Sequence, residues 1–267
     1  MLRPLVVAGL AWTILVPMSA AQREPHAGRR LTLAVGPLFL AQRDEIASPV
    51  RYGGTAPFLE VGYTTRTSRR KIDLRVGGAI GTLRSALTRG NDLPHQRTGR
   101  GWVNLEYSRT LGPPGTRARW LVGGLMSSRG TVIFHYYGAG GNDGGYAFFS
   151  TTVGPVITVE RASGERTALS ARLSVPVVAL IGRPYGTFGL LYTDPRPNGT
   201  GLQLRVVTVA AFQAADFAAT YTATHRSGAD LVLGYHLVVE RYRDDESFRF
   251  ASQGVSLTLA LRLGGKP

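Results

Sequence analysis

The stretch GVSLTLALRL, residues 254–263, decides the fold. Val255, Leu257, Leu259, Leu261 and Leu263 take every second position, and Ser256, Thr258, Ala260 and Arg262 fill the gaps. Side chains alternate across a β-strand, so this segment has one apolar and one polar face. The same alternation recurs along the chain at 31–35, 58–63, 72–77, 102–108, 117–124, 146–160, 166–180, 202–212, 217–225, 231–242 and 248–263. Turn chemistry separates these segments, as in Thr67-Ser68-Arg69-Arg70, Gly112-Pro113-Pro114-Gly115, Ala162-Ser163-Gly164-Glu165 and Arg226-Ser227-Gly228-Ala229. No helical interlude interrupts them, which predicts an all-β chain.

A soluble sandwich and a membrane barrel both alternate, and charge separates them. The polar face carries Glu60, Asp73, Arg75, Glu106, Glu160, Arg172, Arg205, Asp230, His236, Glu240 and Arg262. Burying that set in a dry core costs several kcal/mol per ion unless every charge is paired. The opposite face is apolar along most of its length, beyond the few hundred Å² that soluble monomers expose. Trp102, Trp120, Tyr146, Phe148, Phe217, Tyr242 and Phe248 stand near strand ends and suit interfacial girdles. The pattern predicts an antiparallel transmembrane β-barrel with lipid outside and a charge network in the lumen.

The N-terminal residues fit an export signal. Arg3 supplies the positive region, residues 5–16 the apolar run, and Met18-Ser19-Ala20-Ala21 the small-residue cleavage site. The expected organisation is a signal peptide over 1–21 and a single barrel domain over 22–267. The chain has no cysteine, which excludes disulfides and thiolate metal sites. The formal net charge is +14, and every basic residue except Lys71 and Lys266 is arginine. Nucleic-acid binding needs a basic patch, whereas these arginines are spread along the whole sequence.

On this patterning the chain resembles the bacterial outer-membrane β-barrel proteins. The resemblance implies residence in the bacterial outer membrane, contact with its lipids and lipopolysaccharide, and insertion by the barrel assembly machinery. It also implies an even strand number. Eleven segments alternate, and the apolar run 187–192 would supply one more, giving about 12 strands; 10 or 14 also fit the length. Such barrels commonly end on an aromatic residue, and here Gly264-Gly265-Lys266-Pro267 follows Leu263 instead. Pro155 and Pro176 within strands point to bulges or to the rim.

With the first strand leaving the periplasm, the external connections are 41–54, 85–101, 138–145 and three short ones near Arg183, Ala214 and Arg243. The expected function is structural, or a narrow pore for small polar solutes lined by charges paired between neighbouring strands, in a monomer without cofactor or metal. The enzymatic alternative is a lipid hydrolase of the phospholipase or lipid A deacylase type. It needs a hydroxyl beside a histidine base near the outer leaflet, and His135, Ser127 and Asn142 are the candidate residues. The motif 112–116 lacks the Gly-Lys-Ser/Thr ending of a phosphate loop, and 140–145 occurs once where calcium-binding nonapeptides need stacked repeats; they read as turn and loop.

Overall fold

The computed structural model describes residues 28–44, 48–85, 95–112, 118–136, 144–164, 166–184, 202–225, 228–243 and 247–263. The export signal and the run 187–192 lie outside them. Twelve strands follow one another: β1 (Gly28–Asp44), β2 (Ser48–Arg66), β3 (Arg70–Ser85), β4 (His95–Leu111), β5 (Ala118–Tyr136), β6 (Gly144–Ala162), β7 (Thr167–Ser174), β8 (Val178–Pro184), β9 (Leu202–Thr208), β10 (Phe212–Thr224), β11 (Asp230–Tyr242) and β12 (Phe248–Leu263). All pairings are antiparallel, and β1 pairs with β12. Ten strands close a ring in the order β1 to β7, β10, β11, β12, while β8 and β9 extend from the far half of β6 outside it.

The composition of the twelve differs from the alternation pattern at two places. Segment 166–180 spans both β7 and β8. β6 pairs Val156 with Ser174 but Val153 with Val178, so three residues on one strand oppose two on the other. That one-residue bulge sits at Pro176, which has no N–H to donate. Gly154 faces the bulge, and a Cβ there would meet the Val175 oxygen at 2.4 Å and the Pro176 Cα at 2.5 Å. Ala214 lies inside β10, where the alternation had suggested a loop. The true break comes earlier, at residues 209–211, where the Ala211 N–H donates to the Thr208 carbonyl.

Most strands also run further than the alternation indicated. β2, β5 and β6 are 19 residues long, about twice the 9–11 residues needed to cross a bilayer. Gly99, Gly101, Gly124 and Gly130 occupy outward positions of β4 and β5. They interrupt the apolar alternation without interrupting the ladder, so the strands look shorter in sequence than they are. Both chain ends of the ring share one end with the short connections β2–β3, β6–β7 and β10–β11; this is the turn end, and the opposite one is the loop end.

The outer wall is apolar. Leu31, Leu33 and Val35 on β1 stand beside Leu261, Leu259 and Leu257 on β12, and beside Tyr63, Val61 and Leu59 on β2. All of them are exposed to the surroundings of the ring. The leucines of 254–263 therefore belong to a belt that water would not tolerate and hydrocarbon does. Trp120 faces outward in this belt. Trp102, Phe148, Tyr242 and Phe248 do not join a girdle: they share the inward parity of their strands and point into the barrel.

Candidate functional site: the lumen

Two chemistries fill the lumen, one at each end. Towards the loop end, inward positions place Leu38, Leu40, Ala56, Phe58, Leu83, Ile133, Phe148, Phe212 and Phe248 in one buried apolar cluster. Phe148 from β6 stacks on Phe248 from β12 with centroids 4.0 Å apart, across the ring. Leu83, Phe212 and Phe248 are at most 1% exposed. The wall thus encloses a packed core there, as narrow barrels can. Above the cluster Gln42 donates to Gln96 at 2.6 Å.

Below it runs a belt of alternating charges. Arg100 Nη2 donates to Glu240 at 3.0 Å, and Arg129 reaches the other oxygen of Glu240 at 2.7 Å and Asp216 at 2.6 Å. Arg172 joins Asp216 at 3.2 Å to Glu106 at 2.8 Å. Lys71 lies 3.5 Å from Glu106 and 3.7 Å from Asp73, and Arg75 completes the series by binding Asp73 through Nε at 2.9 Å. Asp73 also accepts from Thr64. The Arg100 guanidinium lies over the Phe250 ring, 3.6 Å from its centroid, where belt and apolar cluster meet.

Trp102 shows how the wall makes room for this. Its indole lies over Gly77, where a Cβ would come within 2.7 Å of the ring, and its N–H donates to Glu60 Oε2 at 2.7 Å. Glycine leaves the space, so Trp102 crosses β3 to reach a carboxylate on β2. His236 on β11 packs edge-on against Phe58 at 5.4 Å. Closer to the turn end, Arg66 on β2 forms a bidentate pair with Glu160 on β6, at 2.8 and 2.5 Å. Arg30 meets Asp230 at 2.7 Å, and Arg262 stands 3.9 Å from the same carboxylate.

The pairing differs from the expected pairing of neighbouring strands. β4 and β11, β5 and β10, β4 and β7, and β2 and β6 are not neighbours in the ring, yet ion pairs join each of these couples. Only Lys71 with Glu106, Arg172 with Asp216 and Arg262 with Asp230 pair side by side among the described ion pairs that link strands. The reason is span: in a ring this narrow an arginine reaches the opposite wall. The charges brace the lumen and leave the wall to its backbone ladder.

Of the residues singled out from sequence, Glu60, Asp73, Arg75, Glu106, Glu160, Arg172, Asp230, His236, Glu240 and Arg262 lie on inward positions. Arg205 keeps that parity, opposite Ile181, but is exposed on β9, which the offset at residues 209–211 carries out of the ring. Arg66, Lys71, Arg100, Arg129 and Asp216 belong to the network and were missed. Arg100, Arg129 and Asp216 fell in stretches taken for loop or strand end; continuing the inward parity past the outward glycines reaches Arg100 and Arg129.

The hydrolase residues are not brought together. Ser127 and His135 lie eight residues apart on β5, which puts their backbones about 26 Å apart along an extended strand. Ser127 is buried and donates to Asn104 at 2.6 Å. Asn142 lies outside the described residues, as does the side chain of His135. No group of His, Asp or Glu able to hold a metal ion occurs among the described residues.

The closed ring, its apolar outer belt and its polar, braced interior define a transmembrane β-barrel of the bacterial outer-membrane class. Solved structures share this fold. The outer membrane protease OmpT from Escherichia coli aligns with 88% of this chain and 96% of its own, at TM-score 0.57 and 10% identity. The translocator domain of the autotransporter NalP from Neisseria meningitidis aligns over 90% of both chains, at TM-score 0.53 and 9% identity. No protein-family model matches the sequence. No curated protein matches it either.

Proposed function

We propose that this chain is a closed outer-membrane barrel with a structural role, one that does not conduct solutes through its lumen. The observation that carries this reading is the apolar cluster at the loop end, where Phe148 and Phe248 stack across the ring. A polar solute crossing it would trade water for side chains that offer no hydrogen bond. The belt below adds guanidinium groups spanning from wall to wall. Both favour a braced wall over the narrow pore.

The same reading supplies the surroundings. The belt of leucines and valines faces lipid, and the basic residues beyond it suit anionic headgroups, including those of lipopolysaccharide. Insertion by the barrel assembly machinery follows from the class. Peptide or lipid hydrolysis would need catalytic groups at the outer mouth, where the buried polar side chains described are Gln42, Ser85, Gln96 and Arg183. The test is planar-bilayer recording on refolded protein. The expected record is flat for the native chain, and steady single-channel steps would overturn the reading in favour of the pore.

A further inference from the structure

The wall segregates its charges. Every carboxylate side chain described on the strands lies on an inward position, so the outward charges are basic. Towards the loop end they form a half-collar: Arg241 on β11, Arg249 on β12, Arg43 on β1, Arg51 on β2, Arg84 on β3 and Arg97 on β4, strands that are consecutive in the ring. Next to it β5 carries Phe134 and β10 carries Gln213. Among the described residues no carboxylate pairs with Arg51, Arg84 or Arg249. The longer loops of this class lie outside the cell, so the half-collar stands at the outer leaflet.

Below Arg84 and Arg97 the outer wall is hollowed. Gly78, Gly101 and Gly130 stand side by side on β3, β4 and β5, between Leu59 on β2 and Phe149 on β6. With Gly99, one step nearer the loop end, they open a groove of about 950 Å³ floored by bare backbone. Nothing in the ring demands these glycines. A Cβ at Gly99 or Gly130 would meet no atom within 4 Å, and one at Gly101 only the Gly77 oxygen at 3.9 Å. None has a positive φ, and the ladders of β4 run through them without a bulge. Glycine inside a strand costs stability, and where the strand itself does not require it, it marks close approach from outside.

We propose that the β2–β5 face binds one phosphorylated glycolipid of the outer leaflet, the lipid A part of lipopolysaccharide, with a phosphate on Arg51 and Arg84 and an acyl chain in the groove. The site rests on the outer-membrane reading of the barrel, not on whether its lumen conducts. Any lipid would cover an apolar wall, and the arginines select an anionic one. Their guanidinium forks match a phosphate through paired N–H donors. Arg97 is four residues from Gly101, about 13 Å along the strand, within the roughly 15 Å depth of one hydrocarbon leaflet. A chain descending from the headgroup therefore reaches the groove, which gives it a fixed place that charge alone does not supply.

The test is native mass spectrometry of the refolded barrel in uncharged detergent, titrated with bisphosphorylated lipid A in one arm and phosphatidylglycerol in the other. One lipid A is expected to stay bound under conditions that strip phosphatidylglycerol. Arg51→Gln/Arg84→Gln should weaken retention about tenfold or more, the scale of two lost surface arginines. Gly101→Leu should weaken it as strongly while leaving the melting temperature unchanged or raised, since leucine suits a lipid-facing position. Arg29→Gln, exposed at the turn end and so in the other leaflet, should leave retention unchanged. Heat-modifiable migration on gels verifies that each variant is folded. Lipid A lost as readily as phosphatidylglycerol would overturn the site, as would full retention by Gly101→Leu or equal weakening by Arg29→Gln. A Gly101→Leu chain that does not fold would overturn it too, because the ring would then need the glycine for itself. Conductance does not enter this readout, so the closed-barrel reading and the lipid site can fail separately.

Discussion

The loop-end and turn-end halves of the lumen share one wall and one inward parity, yet they are filled in opposite ways. The loop-end half is sealed by aromatic and aliphatic side chains, whose attraction is non-directional and survives small changes of shape. The turn-end half is filled by arginines and carboxylates, each satisfied only by a particular partner. A buried ion pair gives little net stability but is costly to break, since removing one member leaves the other charged and dry. The first half sets how firmly the barrel is packed, and the second sets which side chain stands where.

That contrast breaks most sharply at Glu240, whose two oxygens hold Arg100 and Arg129. Glu240→Gln keeps the shape and removes the charge, and should cost about 3–5 kcal/mol in urea unfolding of the lipid-reconstituted barrel. A loss below 1 kcal/mol, on the scale of an exposed pair, would mean the belt is solvated and the two halves are alike. Next comes the outer wall, where the rule is reversed and charge is excluded. Leu259→Arg, in the row between Leu33 and Leu231, should cost about 2–4 kcal/mol if it lies near the bilayer midplane. Thr258→Arg, one residue away on the cavity side, should cost less.

In the apolar half the conservative change should be mild. Phe248→Leu is expected to cost less than about 1.5 kcal/mol, since the cluster can close around a slightly smaller side chain. A cost matching that of Glu240→Gln would show that the Phe148 stack is as exacting as the ion pairs. The smallest effect is expected at the outer row Arg241, Arg249 and Arg43, where arginines stand directly opposite one another on three adjacent strands. Like charges so placed repel. Arg249→Gln should raise the melting temperature slightly in uncharged detergent and lose that gain in anionic lipid.

The belt of leucines was legible in sequence because hydrocarbon imposes a strict period of two on every lipid-facing strand. The lumen was legible only in part. Its charges could be recognised by parity, as with Glu106 and Arg172, but parity says nothing about which wall an arginine crosses to. Phe148 and Phe248 share the parity of the polar face, and read as girdle residues because an aromatic near a strand end fits either side. The alternation ran out at Gly99, Gly101 and Gly130, where an outward position without a side chain hides a continuing strand. Arg205 shows the converse case: its strand keeps the inward parity, opposite Ile181, but lies beyond the ring.

β9 has one further consequence for how deep the barrel sits. Among the described strands it pairs with β8 alone, and the backbone N–H and C=O groups along its other edge join no ladder of the described residues. Hydrocarbon cannot satisfy such groups, and an open edge is not tolerated within it. The membrane surface at the loop end is expected on the β10 side of Thr208, which keeps that edge in water. An unpaired edge, useless as a brace, acts as a waterline marked on the protein.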